Sequence, residues 1–168
     1  TSNADIYNVA VGYHAGKAMT TGSSNTLYGG QVGQALTDGA NNVAIGRAAL
    51  GTAQSDSNNV AIGYSALGTQ NGAGTAYNVA VGHNAGTAVT TGSQNILIGG
   101  LAGDALTSGG RNTAIGYEAL STEDENGRNV AIGWRALKNL NAGADAHNVA
   151  IGHSAGVSMT TGQYNMTF

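Results

Sequence analysis

The densest cluster of groups able to move a proton is Glu123-Asp124-Glu125, within Ser121-Thr122-Glu123-Asp124-Glu125-Asn126-Gly127. Paired carboxylates perform acid/base work in glycoside hydrolysis, where they must flank a bound sugar across a shaped cleft. Three neighbours on a Gly-containing turn enclose no cleft, so this run reads as a solvated loop. The four histidines are the next candidates. His83 and His153 share one column of the repeat set out below, His14 falls one position later, and His147 lies in a long turn. Four parallel coils separate His83 from His153 by roughly 19 Å, too far to share a metal. Solvent-facing corner histidines are the expectation.

Two glycine-rich patterns are weaker still. Gly99-Gly100-Leu101-Ala102-Gly103-Asp104 superficially matches the Gly/Asp nonapeptides that bind calcium in another β-roll class, but the 17-residue period and single Asp do not fit. No Gly-rich turn leads into Lys-Ser/Thr ahead of a helix, as a phosphate-binding loop requires. Asn165-Met166-Thr167 matches a glycosylation sequon, although Asn165 belongs to a structural column. No Ser-His-Asp set stands out from the repeat background. The sequence predicts no catalytic residue, no metal ligand set and no cofactor.

Recognition is the chemistry better served. One column holds Tyr13, Gly30, Arg47, Tyr64, His83, Gly100, Tyr117, Trp134 and His153, with Gln31, Glu118 and Arg135 one position later. Flat rings and guanidinium groups at one corner either stack on one another and seal that corner or an interface, or form a rim that meets a glycan or protein. Tyr13, Tyr64, Tyr117, Trp134 and Arg135 are the candidate receptor contacts, because Trp, Tyr and Arg are enriched in binding hot spots.

The elements that place this rim follow from a repeat. Asn-x-Ala-Ile/Val-Gly and close variants begin at Asn8, Asn25, Asn42, Asn59, Asn78, Asn95, Asn112, Asn129, Asn148 and Asn165. The spacing is 17, 17, 17 and 19 residues, and then the same again, so four coils make a 70-residue block. The blocks run 8–77, 78–147 and, in part, 148–168, within a single repetitive segment spanning 1–168. The motif's fifth position is glycine throughout: Gly12, Gly29, Gly46, Gly63, Gly82, Gly99, Gly116, Gly133 and Gly152. The Asn column predicts an amide ladder between stacked coils. The Gly column predicts either a left-handed corner or a backbone approached too closely for a Cβ.

Between these columns, runs such as Val60-Ala61-Ile62 predict a short strand with Val and Ile on one face and Ala on the other. Both faces are apolar, which predicts a strand covered on both sides. A second run, exemplified by Ala85 to Thr90, reads as a further strand, so each coil is expected to be strand, corner, strand and turn. The 19-residue coils should bulge outward at Gln70 to Ala76 and Asn141 to Ala146. The fold class is therefore all-β: a parallel β-solenoid, or β-roll, of about nine coils of 17–19 residues. Its thin core calls for a second buried surface, and the small Ala face is the expected contact with a neighbouring chain, with Leu27 and Leu97 making larger contacts there.

Composition agrees with a repetitive fibre. The chain is 9% charged, contains 28 glycines, no proline and no cysteine, and is 41% hydrophobic, which is too apolar for disorder. Its side chains are mostly too small for a large globular core. Absence of cysteine removes disulfides and thiolate chemistry. A net charge of −3 gives nucleic acid no basic surface to meet, and no apolar run reaches the roughly 20 residues of a membrane span.

Asn59-Val-Ala-Ile-Gly-Tyr-Ser-Ala-Leu-Gly-Thr and Asn112-Thr-Ala-Ile-Gly-Tyr-Glu-Ala-Leu-Ser-Thr resemble the 17-residue repeats of phage tail fibres and related surface fibres. More distantly they are similar to the Val-Ala-Ile-Gly repeats in the heads of trimeric autotransporter adhesins, whose coil is shorter. The resemblance covers almost the whole chain. It implies a homotrimer of parallel β-rolls on a virion tail fibre or cell surface, a role in host attachment, and no catalysis in the repeats. Starting and stopping in mid-repeat, at Thr1 and Phe168, the chain reads as a fragment of a longer fibre. A bacterial adhesin or extracellular filament segment is the alternative. An ice-binding solenoid is less favoured, because Thr20-Thr21, Thr90-Thr91 and Thr160-Thr161 recur only every fourth coil.

Overall fold

The computed structural model describes residues 6–72 and 74–168. Ten short strands form one sheet: β1 (Val9–Val11), β2 (Thr26–Tyr28), β3 (Val43–Ile45), β4 (Val60–Ile62), β5 (Val79–Val81), β6 (Ile96–Ile98), β7 (Thr113–Ile115), β8 (Val130–Ile132), β9 (Val149–Ile151) and β10 (Met166–Thr167). Each pairs in parallel with the next in sequence, from β1 to β10 in order. Equivalent residues face one another, as Val60 faces Val79 and Ile62 faces Val81, so the 19-residue coil rejoins the stack without a slip. The result is an all-β parallel solenoid of about nine coils, with no helix among the described residues. Nine steps of strand spacing make the stack roughly 43 Å tall.

Glycine sets each strand's end for both of the reasons the sequence offered. Gly46 has φ +123°, and a Cβ there would lie 2.5 Å from the Gly63 carbonyl oxygen of the next coil. Coils touch backbone to backbone at this corner, and the conformation itself excludes L side chains.

The run after the corner is not a second strand. It forms successive turns, because left-handed residues interrupt it: Ala48 and Leu50 in one coil, Ser65 and Leu67 in the next, have φ between 48° and 59°. Extended backbone cannot pass through two such residues. Hydrogen bonds to the neighbouring coil hold the turns instead, as in Leu50 N–H to Ala66 O at 3.1 Å and Leu67 N–H to Ala85 O at 3.1 Å.

The face assignment of the strands is also corrected. Ala44, Ala61, Ala80, Ala114, Ala131 and Ala150, with Leu27 and Leu97, are fully buried in the chain's own core. They cannot meet another chain. Opposite them inside the coil stand the residues six and nine positions on, among them Leu50, Leu67, Leu106, Leu120 and Leu140. Size is exchanged between columns: where the strand carries Leu27 or Leu97, the sixth position carries Gly33 or Gly103. A Cβ on Gly103 would lie 2.7 Å from Leu97 Cδ2, and one on Gly86 would lie 2.5 Å from Leu97 Cδ1. One leucine thus fills the space of two coils, which is how a thin core reaches close packing.

Candidate functional site

Asparagine builds the seam beside the sheet. Along the column, each Asn backbone N–H donates to Oδ1 of the preceding Asn, from Asn25 on Asn8 (2.8 Å) through Asn95 on Asn78 (2.9 Å) to Asn165 on Asn148 (2.9 Å). The amide Nδ2 mostly crosses the coil to a carbonyl fourteen residues on, as Asn25 does to Gly39 O and Asn95 to Gly109 O, both at 2.9 Å. The ladder is therefore more than side chain on side chain: it ties strand, seam and turn together. Asn129 departs from this pattern because the residue fourteen on, Gly143, falls in an enlarged turn, and for Asn59 that residue, Ala73, lies outside the described residues. Asn59 Nδ2 donates to Ser57 O at 3.2 Å, and Asn129 Nδ2 has no partner among the described residues.

On the outside of the sheet, the Val/Ile columns form a continuous apolar strip. Val9, Val11, Ile45, Ile96, Ile98 and Ile151 are exposed and the other Val and Ile residues of the strip are half-buried, whereas the alanines between them, Ala10 of the end strand apart, are wholly covered. Strip residues alternate with core residues along every strand, as the pleat requires. The two columns run through ten strands, carry no charged residue, include Thr26, Tyr28 and Thr113 among the Val and Ile, and have no partner on this chain.

The aromatic rim runs up the corner beyond the Gly column. Tyr64 stacks on His83 with centroids 5.3 Å apart, and Trp134 on His153 at 4.6 Å. Arg47 lies 5.6 Å over Tyr64, and the Arg135 guanidinium lies 4.1 Å over Trp134. Arg135 Nε also reaches Glu118 Oε2 at 2.7 Å, where Lys138 Nζ joins it at 2.6 Å. Hydrogen bonding from Lys138 holds the Glu118 carboxyl below its ordinary range, partial burial opposes this, and Arg135 adds to the lowering. Trp134 is one of the candidate receptor contacts. In the structure His153 and Arg135 both lie against the indole and cover part of it, leaving Trp134 38% exposed. Tyr117 keeps partial exposure, and Tyr13, the most open at 71%, stacks on His14 at 3.8 Å.

Of the acidic run, Glu125 is exposed and Asp124 half-buried, but Glu123 is completely buried, contrary to the solvated-loop expectation. It occupies the core column nine residues after the strand centre, where Val89, Leu106 and Leu140 stand in other coils. Glu123 Oε1 accepts from Asn126 Nδ2 at 2.8 Å, and Oε2 from Ala142 N–H at 3.3 Å. A second buried carboxylate, Asp56, was not singled out in the sequence. Its Oδ1 accepts from Gly72 N–H (2.9 Å) and Gln70 Nε2 (3.2 Å). Gly72 and Ala142 are equivalent residues of the two enlarged turns, so a buried carboxylate anchors each turn at the same amide. Asn71, Gly72 and Thr75 of the first turn and Asn141, Gly143, Ala144 and Asp145 of the second are exposed as expected, while Gln70, Ala76 and Ala146 are buried and Ala73 lies outside the described residues. No group of three or more His, Asp or Glu able to hold a metal occurs among the described residues.

No family model, curated protein or solved structure matches the chain.

Proposed function

We propose that this chain is a shaft or head segment of a homotrimeric surface fibre, most readily a phage tail fibre used in host attachment. The single observation that supports this reading is the outer Val/Ile strip. Soluble monomers rarely leave a contiguous apolar surface of this length open. Three identical strips facing a common axis would cover one another along the whole stack, with the Asn seam and Gly corner left to hold each chain's own coils. Val and Ile, rather than the Ala residues first expected, are then the residues between chains.

Host contact, by glycan or protein, is assigned to the rim of Tyr13, Tyr64, Tyr117, Trp134 and Arg135. Repetition of that rim three times around and again along the fibre would turn weak contacts into useful avidity. No catalytic step is part of the reading. Sedimentation equilibrium tests the assembly. Three times the 16.6 kDa chain mass is the expected result, and a monomer at micromolar concentration would overturn it.

A further inference from the structure

Beneath the first enlarged turn lies a cavity of about 140 Å³, bordered by Asp56, Gln70, Thr75, Thr91 and Ser93. Its floor is built from buried polar groups rather than from surface loops. Asp56 and Gln70 are both fully buried. Gln70 is fixed at both ends of its amide: Oε1 accepts from Asn78 Nδ2 at 2.9 Å, and Nε2 donates to Asp56 Oδ1 at 3.2 Å and to Thr90 O at 3.3 Å. Asp56 Oδ1 is thereby satisfied, but Asp56 Oδ2, equally buried, has no hydrogen-bond partner among the described residues. No basic side chain offsets the charge, since the ion pairs among the described residues involve Arg128, Arg135 and Lys138 only. A buried carboxylate oxygen with neither donor nor counter-charge is costly, and a bound cation relieves that cost.

We propose that this cavity binds one hard cation of the calcium class, ligated by Asp56 Oδ2 and completed by hydroxyl oxygens of Thr75, Thr91 or Ser93, backbone carbonyls and water. The donor chemistry is all oxygen, and calcium accepts irregular shells of six to eight oxygens where magnesium demands a near-ideal octahedron. With one carboxylate the site is weak, in the range of roughly 0.1–1 mM found for extracellular modules. The second block supplies an internal contrast. There Asn126 stands at the position of Asp56 and Leu140 at that of Gln70, while Glu123 provides the carboxylate and has both oxygens partnered. The site therefore belongs to the first enlarged turn alone, and binding is one ion per chain, not two.

Equilibrium dialysis of the assembled chain against radiolabelled calcium tests this. One saturable site per chain is expected, weakened at least tenfold in Asp56→Asn and unchanged in Glu125→Gln, which removes an exposed carboxylate. Asp56→Asn keeps the side-chain shape that Asn126 already has in the equivalent coil, and far-UV circular dichroism verifies its fold. Thr91→Val with Ser93→Ala provides a second variant that leaves the carboxylate in place and also weakens uptake. In wild type, 10 mM calcium should raise Tm by roughly 3–10 °C, a shift absent in Asp56→Asn. No saturable uptake, two ions per chain, or uptake that survives both variants would overturn the proposal.

Discussion

Replacing Leu97 by Ala removes the side chain that fills the core of two coils at once, over Gly86 and Gly103. Leu→Ala at a fully buried site costs about 2–5 kcal/mol, and little collapse is available between rigid stacked backbones, so the upper half of that range is expected. Gly103→Leu alone adds bulk to the same space, since its Cβ would already lie 2.7 Å from Leu97 Cδ2 and 2.8 Å from Leu106 Cδ1. Overpacking of this kind costs about 1–3 kcal/mol. Gly103 has φ +56°, and Leu50, Leu67, Leu120 and Leu137 occupy the equivalent position with φ between 48° and 54°. Leucine can therefore adopt that backbone. Combining Leu97→Ala with Gly103→Leu reproduces the Ala114/Leu120 arrangement of the next coil and should recover at least about 2 kcal/mol relative to the sum of the single changes. The void over Gly86 would remain, so recovery is incomplete. Denaturant unfolding measures the cycle, or unfolding rates if the protein does not refold. Additivity within about 0.5 kcal/mol would refute the claim that the two columns share one space.

Asn95→Ala strips Asn112 N–H of its acceptor and Gly109 O of its donor, both at 2.9 Å. Two buried groups at about 1–3 kcal/mol each predict a loss near 3 kcal/mol. Asn129→Ala should cost clearly less in the same unfolding assay, because Asn129 Nδ2 has no partner to lose; equal losses would contradict the ladder chemistry. Two carboxylates carry opposite pH signatures. Burial, the largest influence, raises Asp104, so its contribution is present below pH 3.8 and fades as pH rises through the folded value; Asp104→Asn should gain stability at pH 7 and none at pH 3. Lys138 lowers Glu118, so that contribution is present above pH 4.5 and fades on acidification; Glu118→Gln should lose stability at pH 7 and converge with wild type in acid. Thermal scans at both pH values check the two signs.

Much of this architecture is written in columns. Asn25 and its equivalents, with Gly46 and its equivalents, locate the seam and corner of every coil, because each has a backbone requirement that few other residues meet. Period-2 patterning separates Ala61 from Val60 and Ile62, yet it does not say which face is inward. A usable signal was present: Leu97 coincides with Gly103, and Ala114 with Leu120, and such an exchange of volume means that the two columns face each other across a core. The turns of the second run were not legible, because Ala48, Ser65 and Leu67 carry no propensity that announces a left-handed conformation. Glu123 looked solvated among acidic neighbours, although its column otherwise holds core residues such as Leu106 and Leu140. Asp56 gave no sign, since its burial depends on a turn two residues longer in the following coil. The rim residues share one corner as expected, but His153 of the next coil and Arg135 cover part of the Trp134 ring.

The proposed assembly rests on the outer strip, and the chain contains no cysteine, so one can be introduced without background. Spin labels at Ile115→Cys on the strip and, separately, at Thr52→Cys on the exposed turn side report distances between copies by pulsed electron paramagnetic resonance. Strips packed face to face bring backbones to about 10 Å, so Ile115 labels should give one short, sharply defined distance and Thr52 labels a distinctly longer one. Ile115 labels that show no defined distance, or a distance longer than that between Thr52 labels, would contradict the Val/Ile interface.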